Sequence, residues 1–416
     1  MATLTQWLWL STRRGLPAAG ITHLLNYFGT PEAIYSAEPA QYAQAGLSKN
    51  HQALLSDKST AEAEHILEVC SRLGVRILTL QDAGYPERLR QIPDPPCVLY
   101  LRGKRFAVDE SVTIGVVGTR KPTPYGVEMA GTLGLELARS GVVLVSGIAQ
   151  GLDAAALKGA LKGGGSVISV LGCGVDVVYP SGHRWLYEDV AATGALVSEF
   201  PPGSPPEGWH FPIRNRIISG LSLGVVAVEA GAHSGTLITA RLALEQNRDV
   251  FAFPGPANAP MSYGTNRLIQ RGEAKLICSA KDVLSEYEAI YPDKLNLRPP
   301  LSRETRQARL SQRPSASPPA PRKQEKTVDN PAQRPYITLK ACGETFTEDE
   351  QAVLLALGAR TLHPDELTLE TGLTAQQVLS ALTLLQVKGF VSEEAGRRFA
   401  ATTIVMAEPP TGGATK

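Results

Sequence analysis

From about residue 112 the chain repeats one pattern: a short run of Val, Ile and Leu, a glycine-bearing turn, then a helical stretch. The runs are VTIGVV (112–117), GVVLVS (141–146), SVISVL (166–171), ALVSEF (195–200), GVVAVEA (224–230), DVFAFP (249–254) and KLIC (275–278). Continuous apolar runs suit strands buried on both faces, and such strands belong to parallel sheets covered by helices. Two more runs, VRILTL (75–80) and CVLYL (97–101), precede them. The spacing therefore predicts an α/β fold over 75–290: a doubly wound, mostly parallel sheet.

The rest of the chain reads differently. Residues 1–74 hold short helices in TLTQWLWL, GITHLLNYFG, TPEAIYSA and TAEAEHILEVCSRLG, a small helical domain of the SAM or helix-hairpin-helix kind. Residues 291–342 are rich in Pro, Arg, Ser and Gln without apolar periodicity, which predicts a flexible basic linker. Residues 343–405 carry three helical patterns and then a β-wing, the winged-helix arrangement, with 406–416 as a tail. The winged helix is acidic. Its recognition helix, Thr374 to Lys388, offers Gln376, Gln377 and Gln386 but little phosphate-neutralising charge, which favours a protein partner over DNA.

With 41 Lys+Arg against 40 Asp+Glu, the formal net charge is +1, which argues against a broad basic coat for nucleic acid. The 5 cysteines form no CxxC pair, and no run suits a spanning helix or a secretory signal. These features point to a reduced, cytoplasmic protein without membrane attachment.

The chemistry sits in the turns. In an open parallel sheet every strand ends on one edge, and ligands bind there. Glycines let backbone approach a phosphate, and the following helix N-termini offer free N–H groups. The candidates are Gly118, Thr119, Arg120 and Tyr125 in GTRKPTPYG, and Ser146, Gly147 and Gly151 in SGIAQGLD, where Asp153 caps or orients the loop. Gly172 and Gly174 stand in GCGVDVVYP, where Asp176 and Tyr179 hold the loop in shape. Phe211, Arg214, Asn215, Arg216 and Ser219 stand in HFPIRNRIISGLS, Ser234, Gly235 and Thr236 in GAHSGTLITA, and Asn266 in GTNRLIQRG. Arg216 either faces the ligand or pairs with Glu199 or Glu229; Phe211 is either core or a stacking platform. His183, His210 and His233 show no metal-ligand spacing. There is no GxxxxGK[ST], no strand-following GxGxxG with a distal acid, and no GxSxG. A rim of backbone donors and arginines without a nucleophile suits holding a phosphodiester chain, without enzymatic activity and without a cofactor or metal.

In this order, GTRKPTPYG, SGIAQGLD, LGCGVDVVYP, SEFPPG, FPIRNRIISGLS, VEAGAHSGTLITA, VFAFPG and GTNRLIQRG resemble the DNA-processing protein A family (DprA, also called Smf) over roughly 82–290. The resemblance implies a single-stranded DNA-binding protein that loads the RecA recombinase in natural transformation and DNA recombination, dimeric through its Rossmann-like domain. By position it assigns Arg120 as the loop arginine, Ser146 and Gly147 as the phosphate turn, and Phe211, Arg214, Asn215 and Arg216 as pocket lining. The chain departs from the family at Leu157, where His is usual, at Thr123 for Ser, and at Glu207–Gly208, where a basic residue is common. Two other readings are a nucleotide phosphoribohydrolase, for which AGAHSGTLITA lacks the paired glycines and the acid, and a regulator acting through the winged helix.

Overall fold

Seven strands of the chain run parallel because each returns to the sheet through a helix. They are β3 (Thr113–Val117), β4 (Val143–Ser146), β5 (Val167–Leu171), β6 (Ala195–Ser198), β7 (Gly224–Ala227), β8 (Asp249–Ala252) and β9 (Lys275–Leu276). Two earlier strands, β1 (Arg76–Thr79) and β2 (Val98–Gly103), add antiparallel beyond β6. Among the described residues these strands form one nine-stranded sheet in the order β1-β2-β6-β5-β4-β3-β7-β8-β9. The winding changes direction between β3 and β7, so the chain diverges there and leaves a crevice at the strand ends. The computed structural model describes residues 4–13, 15–104, 106, 108–296, 301–311, 336–338, 346–358, 360–388, 390–394, 398–401 and 404–406.

Alternate side chains on the strands feed two cores. Ile114, Val116, Leu144, Val167, Leu171, Leu196, Val226 and Phe251 face one side, and Val117, Val145, Ile168, Val170, Val197, Val225, Ala227 and Val250 face the other. The first side is covered by α8 (Pro124–Arg139), α9 (Leu152–Lys162), α10 (Arg184–Thr193) and α14 (Ala280–Leu284). The second is covered by α7 (Glu87–Arg90), α11 (His210–Gly220), α12 (Gly235–Glu245) and α13 (Tyr263–Gln270). Helices α8 and α9 cross at backbone contact. A β-carbon at Gly159 would stand 2.1 Å from the Gly131 carbonyl oxygen, and one at Gly134 would stand 2.2 Å from that of Ala156.

The N-terminal helices are α1 (Leu4–Ser11), α2 (Ala18–Phe28), α3 (Pro31–Ser36), α4 (Pro39–Gln44), α5 (Lys49–Ser56) and α6 (Ala61–Leu73). Trp7, Leu8, Trp9 and Leu10 of α1, with Ile66 and Cys70 of α6, belong to the same buried cluster as the sheet's first face. The boundary expected at 74 is therefore a change of secondary structure and not a break in packing, and residues 1–318 form one compact unit. A second difference lies in the stretch expected as a flexible linker. There Arg303–Ser311 forms α15, whose Leu310 lies 3.6 Å from where a Gly131 β-carbon would be. Its Arg306 stands 3.7 Å from Glu136, and the Leu310 carbonyl accepts from Lys162. Polar contacts hold this helix, so the sequence shows no apolar stripe to announce it. Residues 297–300, 312–335, 339–342 with Cys342, and 407–416 lie outside the described residues.

The second unit, 319–416, has a core of its own. It holds α16 (Glu348–Leu357), α17 (Pro364–Thr371) and α18 (Ala375–Val387). A small sheet adds β11 (Thr361–Leu362), β12 (Val391–Glu394) and β13 (Arg398–Ala401), with β12 and β13 forming the wing. Strand β10 (Tyr336–Thr338), ahead of the expected start at 343, pairs in parallel with β14 (Ile404–Met406). This is a winged-helix domain. Gln376, Gln377 and Gln386 are exposed on α18, as are Leu379 and Leu384. Glu350 closes the N-terminus of α16: it accepts from Thr347 N–H at 2.8 Å and from Lys388 Nζ at 2.9 Å, with its side chain 1% exposed. Burial alone would raise its carboxyl, but the Lys388 and Thr347 hydrogen bonds and the Lys388 charge outweigh that and hold it below the usual range. The stabilisation is complete above the unfolded-state value and is lost as pH falls through the lower folded value. Calorimetry of the full chain should show the winged-helix transition weakening in acid. Glu350→Gln should lower it by about 2 kcal/mol at neutral pH and remove much of that acid dependence. A transition with the same acid response in both proteins would contradict this role.

Candidate nucleic-acid interface

The crevice at the switch point is a cleft of about 590 Å³. Its walls come from the exits of β3 (Val117, Gly118, Thr119, Arg120), β4 (Ala149, Asp153), β5 (Tyr179), β6 (Pro206, Gly208, Phe211, Arg214, Asn215) and β7 (Ser234, Gly235, Thr236, Thr239). Helices α9, α11 and α12 each begin in this wall, so their positive dipole ends gather around one space.

One face of the cleft is aromatic and cationic. The Phe211 ring is half-buried and lies close over the end of β5, where a β-carbon at Gly172 would come 3.0 Å from it. Tyr179, 42% exposed, stands 5.5 Å from Phe211 between ring centroids. The exposed Arg120 guanidinium stands 5.2 Å from the Phe211 centroid. The arginine therefore sits at the rim with its charge free for an anion, beside two rings on which a flat group can stack.

Two buried networks set this geometry. Thr123 donates its N–H (3.0 Å) and hydroxyl (2.5 Å) to Glu229, and Thr119 N–H donates to the Glu229 carbonyl at 3.0 Å, which fixes the loop that carries Arg120. Arg214, 4% exposed, donates to the Gly147 carbonyl at 2.9 Å, to the Val170 carbonyl, and from Nε to Asn215 Oδ1 at 3.1 Å. It clamps the exits of β4 and β5 together while lining the cleft floor. Gly147 permits this, because a β-carbon there would lie 2.1 Å from the guanidinium. Asp153 is the countercharge. Burial pushes its carboxyl up, against the Arg214 charge and the N–H groups of Ala149, Gly118 and Gly147.

The cleft gathers Gly118, Thr119, Arg120, Phe211, Arg214, Asn215, Ser234, Gly235 and Thr236 from the sequence candidates. Ser234 caps α12, accepting from Thr236 N–H at 3.2 Å. Gly147, Gly151 and Gly172 shape the wall from behind. Other candidates are placed elsewhere. Arg216 does not line the cleft: it is 3% exposed and bound to Glu199 at 2.6 and 2.9 Å and to Asp94 at 3.1 Å. Ser146 is fully buried and donates to the Val116 carbonyl at 2.7 Å, and Ser219 is spent on the Asn215 and Arg216 carbonyls. Asn266 bonds both N–H and C=O of Gly255, Tyr125 ties to the Pro254 carbonyl at 2.9 Å, and Gly174 pairs with the Ser204 carbonyl at 3.0 Å. Asp176 does hold its loop, accepting from Gly203 N–H at 2.8 Å, but Tyr179 belongs to the cleft. The signal for Tyr179 was an aromatic closing a strand-exit loop. Glu229, one of the two partners the sequence offers Arg216, holds the Arg120 loop through Thr123 instead. Among the described residues no group of His, Cys, Asp or Glu is arranged to hold a metal ion, and no helix is long and apolar enough to cross a membrane.

Two family models match: DNA recombination-mediator protein A over residues 76–288 and the DprA winged helix domain over 314–397. Protein Smf of Synechocystis is 33% identical over 406 residues, spanning 94% of this chain and 97% of that protein. DNA processing protein DprA of Bacillus subtilis is 42% identical over 221 residues, 53% of this chain and 74% of that protein. The X-ray structure of DprA from Streptococcus pneumoniae matches with a TM-score of 0.61 at 32% identity, covering 69% of this chain and 99% of that one. With its strand-exit loops, doubly wound sheet and winged helix, the chain belongs to the DNA recombination-mediator protein A family, the DprA and Smf proteins of DNA processing.

Proposed function

We propose that the chain binds single-stranded DNA in this cleft and loads the RecA recombinase onto that strand in natural transformation and DNA recombination. The observation that carries the binding step is the exposed Arg120 over the Phe211 ring, beside Tyr179, in a wall of helix N-termini. A phosphate meets the guanidinium and N–H groups while its base lies on an aromatic face. Bases in a duplex present no free face, so this arrangement selects unpaired strands. The RecA step, the cytoplasmic setting and a homodimer through the sheet domain rest on family membership. The winged helix, with exposed leucines and acidic residues, takes a protein partner in this reading. It describes a binding protein that uses no cofactor.

The test is binding to single- and double-stranded DNA of equal length across a salt titration. Single strands of different sequence should bind alike, more tightly than duplex, with affinity falling linearly in log salt by about 0.7 per phosphate contacted. Equal affinity for duplex would overturn the reading.

A further inference from the structure

The same edge of the sheet carries a second aromatic and cationic pair that the cleft does not use. Trp185, in the first turn of α10, is 39% exposed, and Lys158 Nζ stands 4.8 Å from the centroid of its rings. Both lead out of the cleft. Helix α9 begins there with Asp153 in the wall and reaches Lys158 about a turn later. Tyr179 closes the cleft on that side, and the chain passes from it through a short turn into α10. His183 pins this turn, its Nδ1 lying 3.2 Å from the Ile148 carbonyl, next to cleft-lining Ala149. Lys158 is close enough that its charge, after burial, helps hold the His183 imidazole below its usual value. Arg184 is exposed beside Trp185, and the neighbouring carboxylate Glu188 is neutralised by Arg102 at 2.7 Å.

More than a third of the Trp185 surface faces water, beside the Lys158 ammonium. An indole face beside an ammonium is the pairing that receives a base and its phosphate. We propose that Trp185 and Lys158 form a second nucleotide subsite, taking the base and phosphate of a strand that leaves the cleft over Tyr179. The subsite rests on the single-strand reading and extends it from one pocket to a track.

The experiment measures the affinity of the full chain for oligothymidylates from about 4 to about 12 nucleotides. The parent should gain affinity with length. Trp185→Ala should lose about tenfold of that gain, Trp185→Phe should keep most of it, and Lys158→Gln should lower the salt slope on the long strand by about 0.7. Lys158 is partly exposed and lies outside the cores, so that arm reports even where the tryptophan variant folds poorly. A full gain with length in Trp185→Ala, or an equal loss at every length, would overturn the subsite. Arg120→Ala separates the two ideas: if it too binds every length like the parent, the cleft reading itself fails, whereas its loss alongside an inert Trp185 removes only the subsite.

Discussion

The double variant Arg120→Ala, Phe211→Ala should bind single-stranded DNA about a thousandfold more weakly than the parent. A base stacked on an aromatic ring contributes about 1–3 kcal/mol, and a charge-assisted phosphate contact about 1.5–3 kcal/mol. The two act on neighbouring atoms of one nucleotide, with the guanidinium 5.2 Å from the ring centroid, so their effects should couple. The domain should stay folded, because Arg120 is exposed and Phe211 packs at the cleft surface, outside the two cores of the sheet. Fluorescence anisotropy with a labelled oligothymidylate, alongside circular dichroism, reads both quantities. A folded double variant with parental affinity would remove the cleft from consideration as the binding site.

Arg216→Ala should do the reverse: about 3 kcal/mol of stability lost from the sheet-bearing unit, with the affinity of the folded protein unchanged. Its guanidinium is 4% exposed while its partners are less enclosed, Glu199 at 21% and Asp94 at 38%. Removing one member of a buried pair leaves uncompensated charge, and partial solvent access to the carboxylates keeps the cost at the lower end of the usual range. Urea denaturation followed through the α/β domain measures it. A variant that kept its stability and lost DNA affinity would put Arg216 back among the ligand-binding residues.

The contrast between Arg214 and Arg216 shows where sequence reading stops. All nine strands of the large sheet are legible in the sequence: the inner ones because strands covered on both faces must be continuous apolar runs, and the partly exposed edges β1 and β9 only as shorter runs broken by Arg76 and Lys275. The glycine turns were visible because backbone cannot close on backbone past a side chain. Two arginines two residues apart on one helix, however, point about 200° apart, so one cleft cannot take both. Helix geometry thus predicts that one of them is structural, but choosing Arg216 needed the position of Glu199 and Asp94, which come from other elements. Ser146 is a similar case. It ends a strand in a phosphate-binding pattern, yet strand alternation turns its hydroxyl into the core. Helix α15 and the two helices α4 and α5 were missed because their apolar residues are too few to mark a period.

The crossing of α8 and α9 has a mechanical consequence. With glycines at the contact, carbonyl meets α-carbon and no side chain lies between to act as a bearing. The loops that enter these two helices, one carrying Arg120 and the other Gly147 and Gly151, are therefore stiffly joined and should shift as one piece. Any widening of the cleft to admit or release a strand falls to the walls outside this crossing, the proline-rich run from Pro201 to Pro206 and the capped start of α12.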